Sequence, residues 1–414
     1  MAEVKEMEKL PKGWKISSVK DLFIDGRGRV ISEEEIKNKE GIYPVFSSQT
    51  KNKGELGKIN TYDFEGEYIT WTTDGANAGT VFYRSGRFNC TNVCGTLEAR
   101  NKEVCSRYFA YLLSNVLKKY VSYIGNPKLM NNVVRVIKLV HPANYFTQRK
   151  IAEILETVDN AIEKTDRIIE KYKRIKQGLM QDLLTKGIDE NGQIRSEETH
   201  RFKDSPLGRI PEEWEMVEFY NLFDVIDNRG RTPPFSESGT IPYLSAENIR
   251  DGKILYNFGN FVTDEVYKRY MRGIPTSGHI LFTTEAPLGE VAPAPAIKFC
   301  FAQRVIAIKP KMGCSNYYLF LIQHELIQRQ LNNLVSGTTV KGISAKNLKK
   351  VSFIAPSLPE QHRIASILSQ IDEAIEKEQR YKEKLERIKQ GLMEDLLTGK
   401  VRVNHLIEGV ENVS

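Results

Sequence analysis

The chain has 414 residues, enough for two or three domains with cores of ordinary size, which excludes a single small scaffold. Hydrophobic residues make up 40% and charged residues 27%, with a mean hydropathy of -0.41. No apolar run approaches the roughly 18 residues that a bilayer-spanning helix needs, so no membrane partner is expected. Lys and Arg outnumber Asp and Glu by 60 to 53, a net charge of +7 with a pI near 8.9. That balance suits a polyanionic partner but does not by itself separate a nucleic-acid binder from a basic enzyme.

Met1 to Glu6 has mixed charge and no apolar core after it, which reads as neither a secretory signal nor a transit peptide. The expected compartment is the cytoplasm. Short β-branched or aromatic runs follow at Tyr43 to Phe46, Tyr68 to Thr72, Thr80 to Tyr83 and Val93 to Leu97, separated by Gly, Asn and Asp turns. Tyr108, Leu112, Leu113, Val116 and Leu117 then recur at helical spacing, and Val133 to Val140 reads as a closing strand. A second α+β unit has strands near Ile280 to Thr283 and Val305 to Ile308 and a helix near Tyr317 to Leu331. Cys90, Cys94, Cys105, Cys300 and Cys314 form no CxxC pair and have no nearby histidine at zinc-ligand spacing, so reduced, mostly buried thiols are expected.

The strongest signal is an internal repeat. Gln148 to Thr185 (QRKIAEILETVDNAIEKTDRIIEKYKRIKQGLMQDLLT) and Gln361 to Thr398 (QHRIASILSQIDEAIEKEQRYKEKLERIKQGLMEDLLT) align without a gap and agree at about two-thirds of positions. The duplication reaches upstream. Pro11 to Trp14 is echoed by Pro211 to Trp214, Trp71-Thr72-Thr73-Asp74 by Phe282-Thr283-Thr284-Glu285, and Val136 to Pro142 by Lys350 to Pro356.

The order is therefore globular unit, long helix, globular unit, long helix. The expected divisions are 1–147, 148–188, 189–358 and 359–414.

Apolar residues at three- and four-residue steps give each long helix a stripe that needs a partner helix. The pairing face is assigned to Ile151, Leu155, Val158, Ile162, Ile168, Tyr172, Ile175 and Leu179 in the first copy. In the second it is assigned to Ile364, Leu368, Ile371, Ile375, Tyr381, Leu385, Ile388 and Leu392. Two tethered copies of one stripe are at high effective concentration, so internal antiparallel pairing is expected, with the globular units at opposite ends of a rod about 57 Å long. Thr165 and Glu378 interrupt the seam at equivalent positions and are expected to fix register. Gly178 and Gly391 suggest close backbone approach or a break near the helix end.

No catalytic constellation is present: there is no GxxxxGK[ST] loop, HExxH or GxSxG, and the histidines are scattered. Asp25-Gly26-Arg27-Gly28-Arg29 contains a GxG, but its counterpart Asp227-Asn228-Arg229-Gly230-Arg231 loses the first glycine, which argues against a nucleotide loop. Thr232-Pro233-Pro234-Phe235 approaches the [DN]PP[YF] element of amino-methyltransferases, yet Thr232 lacks the amide or carboxylate that holds a target amine.

Polar loops fit nucleic acid better, since Lys neutralises phosphates while Asn, Gln and Arg at loop tips read base edges. The candidate DNA-binding residues are Lys51, Asn52, Lys53, Asn77, Arg84, Asn126 and Lys128 in the first unit. In the second they are Asn248, Arg250, Thr338, Thr339, Lys341, Lys346 and Asn347.

The duplicated QxxIAxIL…RIKQGLMxDLLT block, with Asp204 to Trp214 (DSPLGRIPEEW) and Leu358-Pro359-Glu360-Gln361, resembles the DNA specificity subunit of type I restriction-modification systems. Phe146-Thr147-Gln148 departs from the Pro-Glu-Gln pattern kept at Pro359-Glu360-Gln361. The resemblance implies an α+β fold with two target-recognition domains joined by two long helices in an antiparallel coiled coil with pseudo-two-fold symmetry. It implies a non-catalytic subunit in which each domain reads one half of a bipartite, asymmetric site in double-stranded DNA. The helices would act as spacer and as docking surface for methyltransferase subunits, two copies being expected, with nuclease-translocase subunits completing the complex. S-adenosylmethionine, ATP and Mg²⁺ would belong to those partners, and no metal or cofactor is expected in this chain. The rival readings are a duplicated coiled-coil adaptor that scaffolds proteins without reading DNA, and a DNA methyltransferase acting alone.

Overall fold

The computed structural model describes residues 10–301, 303–335 and 342–407. The chain divides into two compact units, one made of residues up to 166 with those from 380 onward, the other of residues 167–379. Each long helix is shared between them. No helix among the described residues is long and apolar enough to cross a membrane.

In the first unit, β1 (Trp14–Ser18) begins an alternation with β2 (Phe23–Arg27), β3 (Glu40–Phe46), β4 (Glu55–Ile59), β5 (Phe64–Thr72), β6 (Val81–Cys90) and β7 (Cys94–Ala99). Helix α1 (Ser106–Val116), β8 (Lys138–Pro142) and the long helix α2 (Tyr145–Leu183) follow. Strands β2 to β7 make one sheet in the order β2-β7-β5-β6-β3-β4, antiparallel except for the β3–β6 pair. Strand β1 pairs antiparallel with β8. The expected strand from Val133 is shorter, because Asn131–Val134 forms a helical turn and only Lys138–Pro142 is extended.

The second unit repeats the plan with β9 (Glu215–Glu218), β10 (Phe223–Asp227), β11 (Ile280–Thr284), β12 (Leu288–Pro293), β13 (Val305–Pro310), α3 (Ser315–Gln323), α4 (Glu325–Asn333), β14 (Ser352–Ala355) and α5 (Leu358–Leu397). Its central sheet runs β10-β13-β11-β12, and β9 pairs with β14 as β1 does with β8. The helix expected from Tyr317 to Leu331 is two helices. His324 is extended between them, and its ring Nδ1 accepts the Leu326 N–H at 3.3 Å, capping α4.

Each core is a sheet face covered by helix. In the first unit Phe23, Ile69, Trp71 and Leu97 meet Tyr108, Phe109 and Leu113 of α1, then Ile151 and Leu155 of α2 and Leu396 and Leu397 of α5. In the second, Phe223, Phe282 and Ile308 meet Tyr317 and Leu321, then Leu183 at the end of α2, Leu184 just after it, and Ile364 and Leu368 of α5. One glutamine per unit ties strand, short helix and long helix together. Gln148 donates to the Pro142 carbonyl at 3.0 Å and accepts the Cys105 N–H at 2.9 Å. Gln361 donates to Pro356 at 2.9 Å and accepts from Cys314 at 2.9 Å.

The departure at Phe146-Thr147 leaves the helix start intact because Asn144 caps it, its side-chain oxygen accepting the Phe146 N–H at 2.7 Å. The second copy spends Glu360 differently. That carboxylate is buried against Arg195 and accepts from the Ile188 N–H at 3.0 Å and the Trp214 indole at 3.3 Å. Gly187, at φ +67°, closes the end of α2 over the same site, where a Cβ would stand 2.4 Å from Trp214.

Within the first unit the long helices run antiparallel: Asp159 meets Lys389 at 2.6 Å, and seven residues on, Asp166 meets Lys382 at 2.7 Å, seven residues back. Within the second, Lys176 meets Asp372 at 2.6 Å, the repeat's copy of the Asp159–Lys389 pair. The seam follows two heptad rows. On α2 one row runs Ile151, Val158, Thr165, Tyr172, Leu179 and the other Leu155, Ile162, Ile169, Lys176; on α5 they run Ile364, Ile371, Glu378, Leu385, Leu392 and Leu368, Ile375, Lys382, Lys389.

Ile151, Leu155, Thr165, Ile169, Ile364, Leu368, Ile375 and Leu385 are buried, and Val158, Ile162, Ile168, Tyr172, Leu179, Ile371 and Leu392 are half-buried. Three expected pairing residues are corrected. Ile175, Tyr381 and Ile388 are exposed by 37%, 50% and 42%, because each lies one residue ahead of Lys176, Lys382 or Lys389 and so points off the seam. The lysine stems line the seam and their ammonium groups reach the aspartates. Thr165 turns its hydroxyl back to the Ala161 carbonyl at 2.9 Å. Gly178 and Gly391 have open space where a Cβ would stand and lie within helices that run on to Leu183 and Leu397, so neither marks a close approach or a break.

Removing a buried partner from a charge pair leaves the other charge uncompensated, at roughly 3–5 kcal/mol. Glu360→Ala is expected to lose about that much in urea unfolding followed by tryptophan fluorescence. Thr147→Ala, at the equivalent position of the first copy, is expected to lose under about 1 kcal/mol, in keeping with ordinary single substitutions.

Candidate nucleic-acid interface

Three loops of the first unit converge: residues 47–54 after β3, 73–80 after β5, and 122–128. Lys51, Asn52 and Lys53 form a single turn in which Asn52 and Lys53 adopt φ of +50° and +53°. That conformation is uncommon outside glycine and persists where its surroundings enforce it.

Arg84 supplies the enforcement. It is 7% exposed, donates to the Lys53 carbonyl at 2.7 Å and to Thr70 Oγ1 at 3.2 Å, and lies 3.5 Å from the Phe46 ring centre. Burial pushes its guanidinium down to about 10, which leaves it charged at neutral pH. Arg84 therefore braces the loop from within and does not present itself at the surface. The Lys53 ammonium is held by Glu163 of α2 at 2.8 Å, so Lys51 is the lysine of this turn left facing solvent.

Asn77 is exposed and donates to the Ser48 carbonyl at 3.4 Å, linking the first two loops. The Asn126 amide donates to Asp74 Oδ1 at 2.5 Å, and the Leu129 N–H to the Thr73 carbonyl at 2.9 Å, linking the second and third. Lys128 is exposed between them. Lys51, Asn77, Asn126 and Lys128 are thus brought to one rim.

The structure adds Arg27 to it. This residue ends β2, is exposed, and donates to the Asn92 carbonyl at 2.5 Å and to Thr73 Oγ1 at 3.5 Å.

In the second unit the Ile343 N–H donates to the Thr284 carbonyl at 2.9 Å, as Leu129 does to Thr73, and Glu285 bridges Gly342 as Asp74 bridges Lys128. Arg229, the counterpart of Arg27, donates to the Ile343 carbonyl at 3.2 Å while its guanidinium grips Asp227 at 2.6 Å. Hydrogen bonding to Asp227 raises the Arg229 pKa against the opposing effect of burial. The repeated Arg-Gly-Arg motif therefore marks the same rim twice. The signal was in the repeat itself, since Arg27 recurs as Arg229 although the glycine before it is replaced by Asn228.

Asn248 and Arg250 lie elsewhere and face inward: Asn248 is buried and bonds Ser245 and the Leu255 carbonyl, and Arg250 donates to the carbonyls of Ala246 and Ile249. Lys346 is exposed on a short helical turn that Asn347 fastens to the Leu334 carbonyl at 2.8 Å. Thr338, Thr339 and Lys341 lie outside the described residues. Among the described residues no group of His, Cys, Asp and Glu could hold a metal ion, and the cysteines are free.

A second repeated surface lies on the long helices. In the first unit Lys389, Gln390 and Met393 of α5 line a groove beside Asn115; in the second, Lys176, Gln177 and Met180 of α2 line its counterpart beside Gln323 and His324. These are the Ile-Lys-Gln-Gly-Leu-Met segments, identical in both copies.

Residues 11–173 and 211–387 match the family model of the type I restriction modification DNA specificity domain. The chain belongs to this family. Its role is DNA specificity and not catalysis. The specificity subunit of the type I restriction enzyme MjaVIII of Methanocaldococcus jannaschii is 29% identical to it, over 97% of this chain and 96% of that one. A putative type I specificity subunit N-terminus from Mycoplasma pneumoniae is 49% identical over 144 residues, 34% of this chain and 76% of the relative. Among solved structures, the S subunit of a type I restriction-modification system from M. genitalium matches 94% of this chain and 97% of its own, with a TM-score of 0.64 at 16% identity. A chain solved in work on complex assembly and conformational transition of the type I R-M system matches with a TM-score of 0.53, over 95% of this chain and all of that one, at 16% identity. Both share the fold.

Proposed function

We propose that residues 1–147 and 189–358 are the two target-recognition domains, each reading one half of a bipartite, asymmetric site in double-stranded DNA. The helical regions 148–188 and 359–414 act as spacer and as docking surface for two methyltransferase subunits. The chain works inside a type I restriction-modification complex with methyltransferase and nuclease-translocase subunits, which hold the S-adenosylmethionine, ATP and Mg²⁺ that the chemistry needs, in the cytoplasm where the DNA lies.

The observation that carries this reading is the contrast between what repeats and what differs. Both units bring together an arginine, a Thr-Asp or Thr-Glu turn and the backbone at Leu129 or Ile343, yet the sequences around these points differ, as two readers of different half-sites must. The helix grooves, by contrast, are kept alike. Ile175 and Ile388 are solvent-exposed and Gly178 and Gly391 have open space where a Cβ would stand, so packing within the chain does not demand their identity. A surface kept twice without an internal reason suits one partner met twice.

Cells expressing the chain with its methyltransferase subunits are expected to show a split, asymmetric motif in their methylome. Combined Asn77→Ala and Asn126→Ala substitution is expected to make positions in one half degenerate and leave the other intact, whereas an unbroken motif, or loss of both halves together, would contradict the reading. Native mass spectrometry of the complex is expected to find two methyltransferase copies on the unaltered chain, one with Ile388→Asp and none with Ile175→Asp added. Two copies retained on the double variant would remove this repeated helix face from the docking surface.

A further inference from the structure

The loop from Ser122 to Lys128 exposes two adjacent apolar side chains that a soluble loop has no reason to display. Ile124 is 94% exposed and Tyr123 is 72% exposed. Isolated exposed apolar residues are ordinary. A neighbouring pair at a braced tip is not, because the brace prevents the loop from folding them inward.

The brace is extensive. Ser122 and Lys128 exchange two backbone hydrogen bonds of 2.9 Å each, and Gly125 turns the tip at φ +76°. The Gly75 N–H donates to the Pro127 carbonyl at 3.0 Å, and Asn126 is fastened to Asp74.

We propose that Tyr123 and Ile124 form a wedge that enters the DNA between base pairs of the half-site read by the first unit, partly unstacking one step. The inference rests on the reading of this unit as a DNA reader. Apolar side chains that unstack a step are held there by polar and cationic neighbours on the backbone, and here Lys128 and Lys51 stand on the same rim as the tip. Rigidity is what the task requires: a mobile loop would be pushed aside by the stack, and a loop bonded at both feet is not. In sequence, the segment ahead of Ile343 is Ser336-Gly337-Thr338-Thr339-Val340-Lys341, without an aromatic residue. The wedge therefore belongs to one half-site and adds to its difference from the other.

The test uses the chain assembled with its methyltransferase subunits on a duplex carrying the methylome motif, with 2-aminopurine placed at successive positions of that half-site. Fluorescence is expected to rise on binding at one step other than the methylated base. The rise should vanish in Tyr123→Ser with Ile124→Ser, which should also weaken binding about tenfold with an unchanged salt slope, since no phosphate contact is lost. Tyr123→Phe should keep the rise. Both residues are exposed, so the variants are expected to fold, and circular dichroism checks this. An unaltered rise and affinity in the double serine variant would overturn the wedge, as would loss of a methyltransferase copy from that variant, which would make the tip a protein contact. A complex that does not distinguish the motif from a scrambled duplex would instead overturn the DNA-reading assignment itself, and the wedge with it.

Discussion

The structure depends on lysines placed in an apolar seam. Lys176 and Lys389 occupy heptad positions where an aliphatic residue would pack equally well, and each spends its charge on an aspartate of the facing helix, Asp372 or Asp159. A polar residue at a seam position costs packing and gives register in return. Because the two pairs are copies of one pair, a single duplicated sequence specifies its own antiparallel partner: the aspartate near the start of each helix meets the lysine near the end of the other. Asp166 with Lys382 adds a pair that the repeat does not copy, since Gln379 and Ile169 stand at the equivalent positions.

That register decides how each unit is completed. The first unit closes its core with the start of α2 and the end of α5, the second with the start of α5 and the end of α2. Neither recognition unit is a finished globule on its own stretch of chain. Gln148 and Gln361 carry the coupling inward, each bonding the proline at the end of a closing strand (Pro142) or just past it (Pro356) and the amide that opens a short helix. A change in helix register would therefore reach the sheet that supports the reading rim, and the helix blocks are constrained by two domains at once. This accounts for helices that stay alike while the rims diverge.

The repeat, the α+β units and the long helices were legible because they rest on order and period, which survive when side chains are read one at a time. Membership of the specificity family followed from the same blocks. The flank of the seam was misread at Ile175, Tyr381 and Ile388 because hydrophobicity alone selected the isoleucine or tyrosine beside each lysine, whereas the heptad selects the lysine. Arg84 and Asn248 carry side chains suited to DNA yet are buried in support of their own loops, a distinction that depends on which neighbours fold over them. Arg27 was overlooked because its motif was weighed for its glycines. The arginine that recurs in both copies was the informative letter.

The claim on which the rest stands is the antiparallel register, and short bis-maleimide cross-linking tests it most directly. With Asp159→Cys and Lys389→Cys in one chain, mapped by mass spectrometry of the digested product, an intramolecular cross-link between the two positions is predicted in high yield. Asp159→Cys with Asp372→Cys, which face each other only if the helices run in the same direction, should give none. A cross-link in the second pair and its absence from the first would contradict the account.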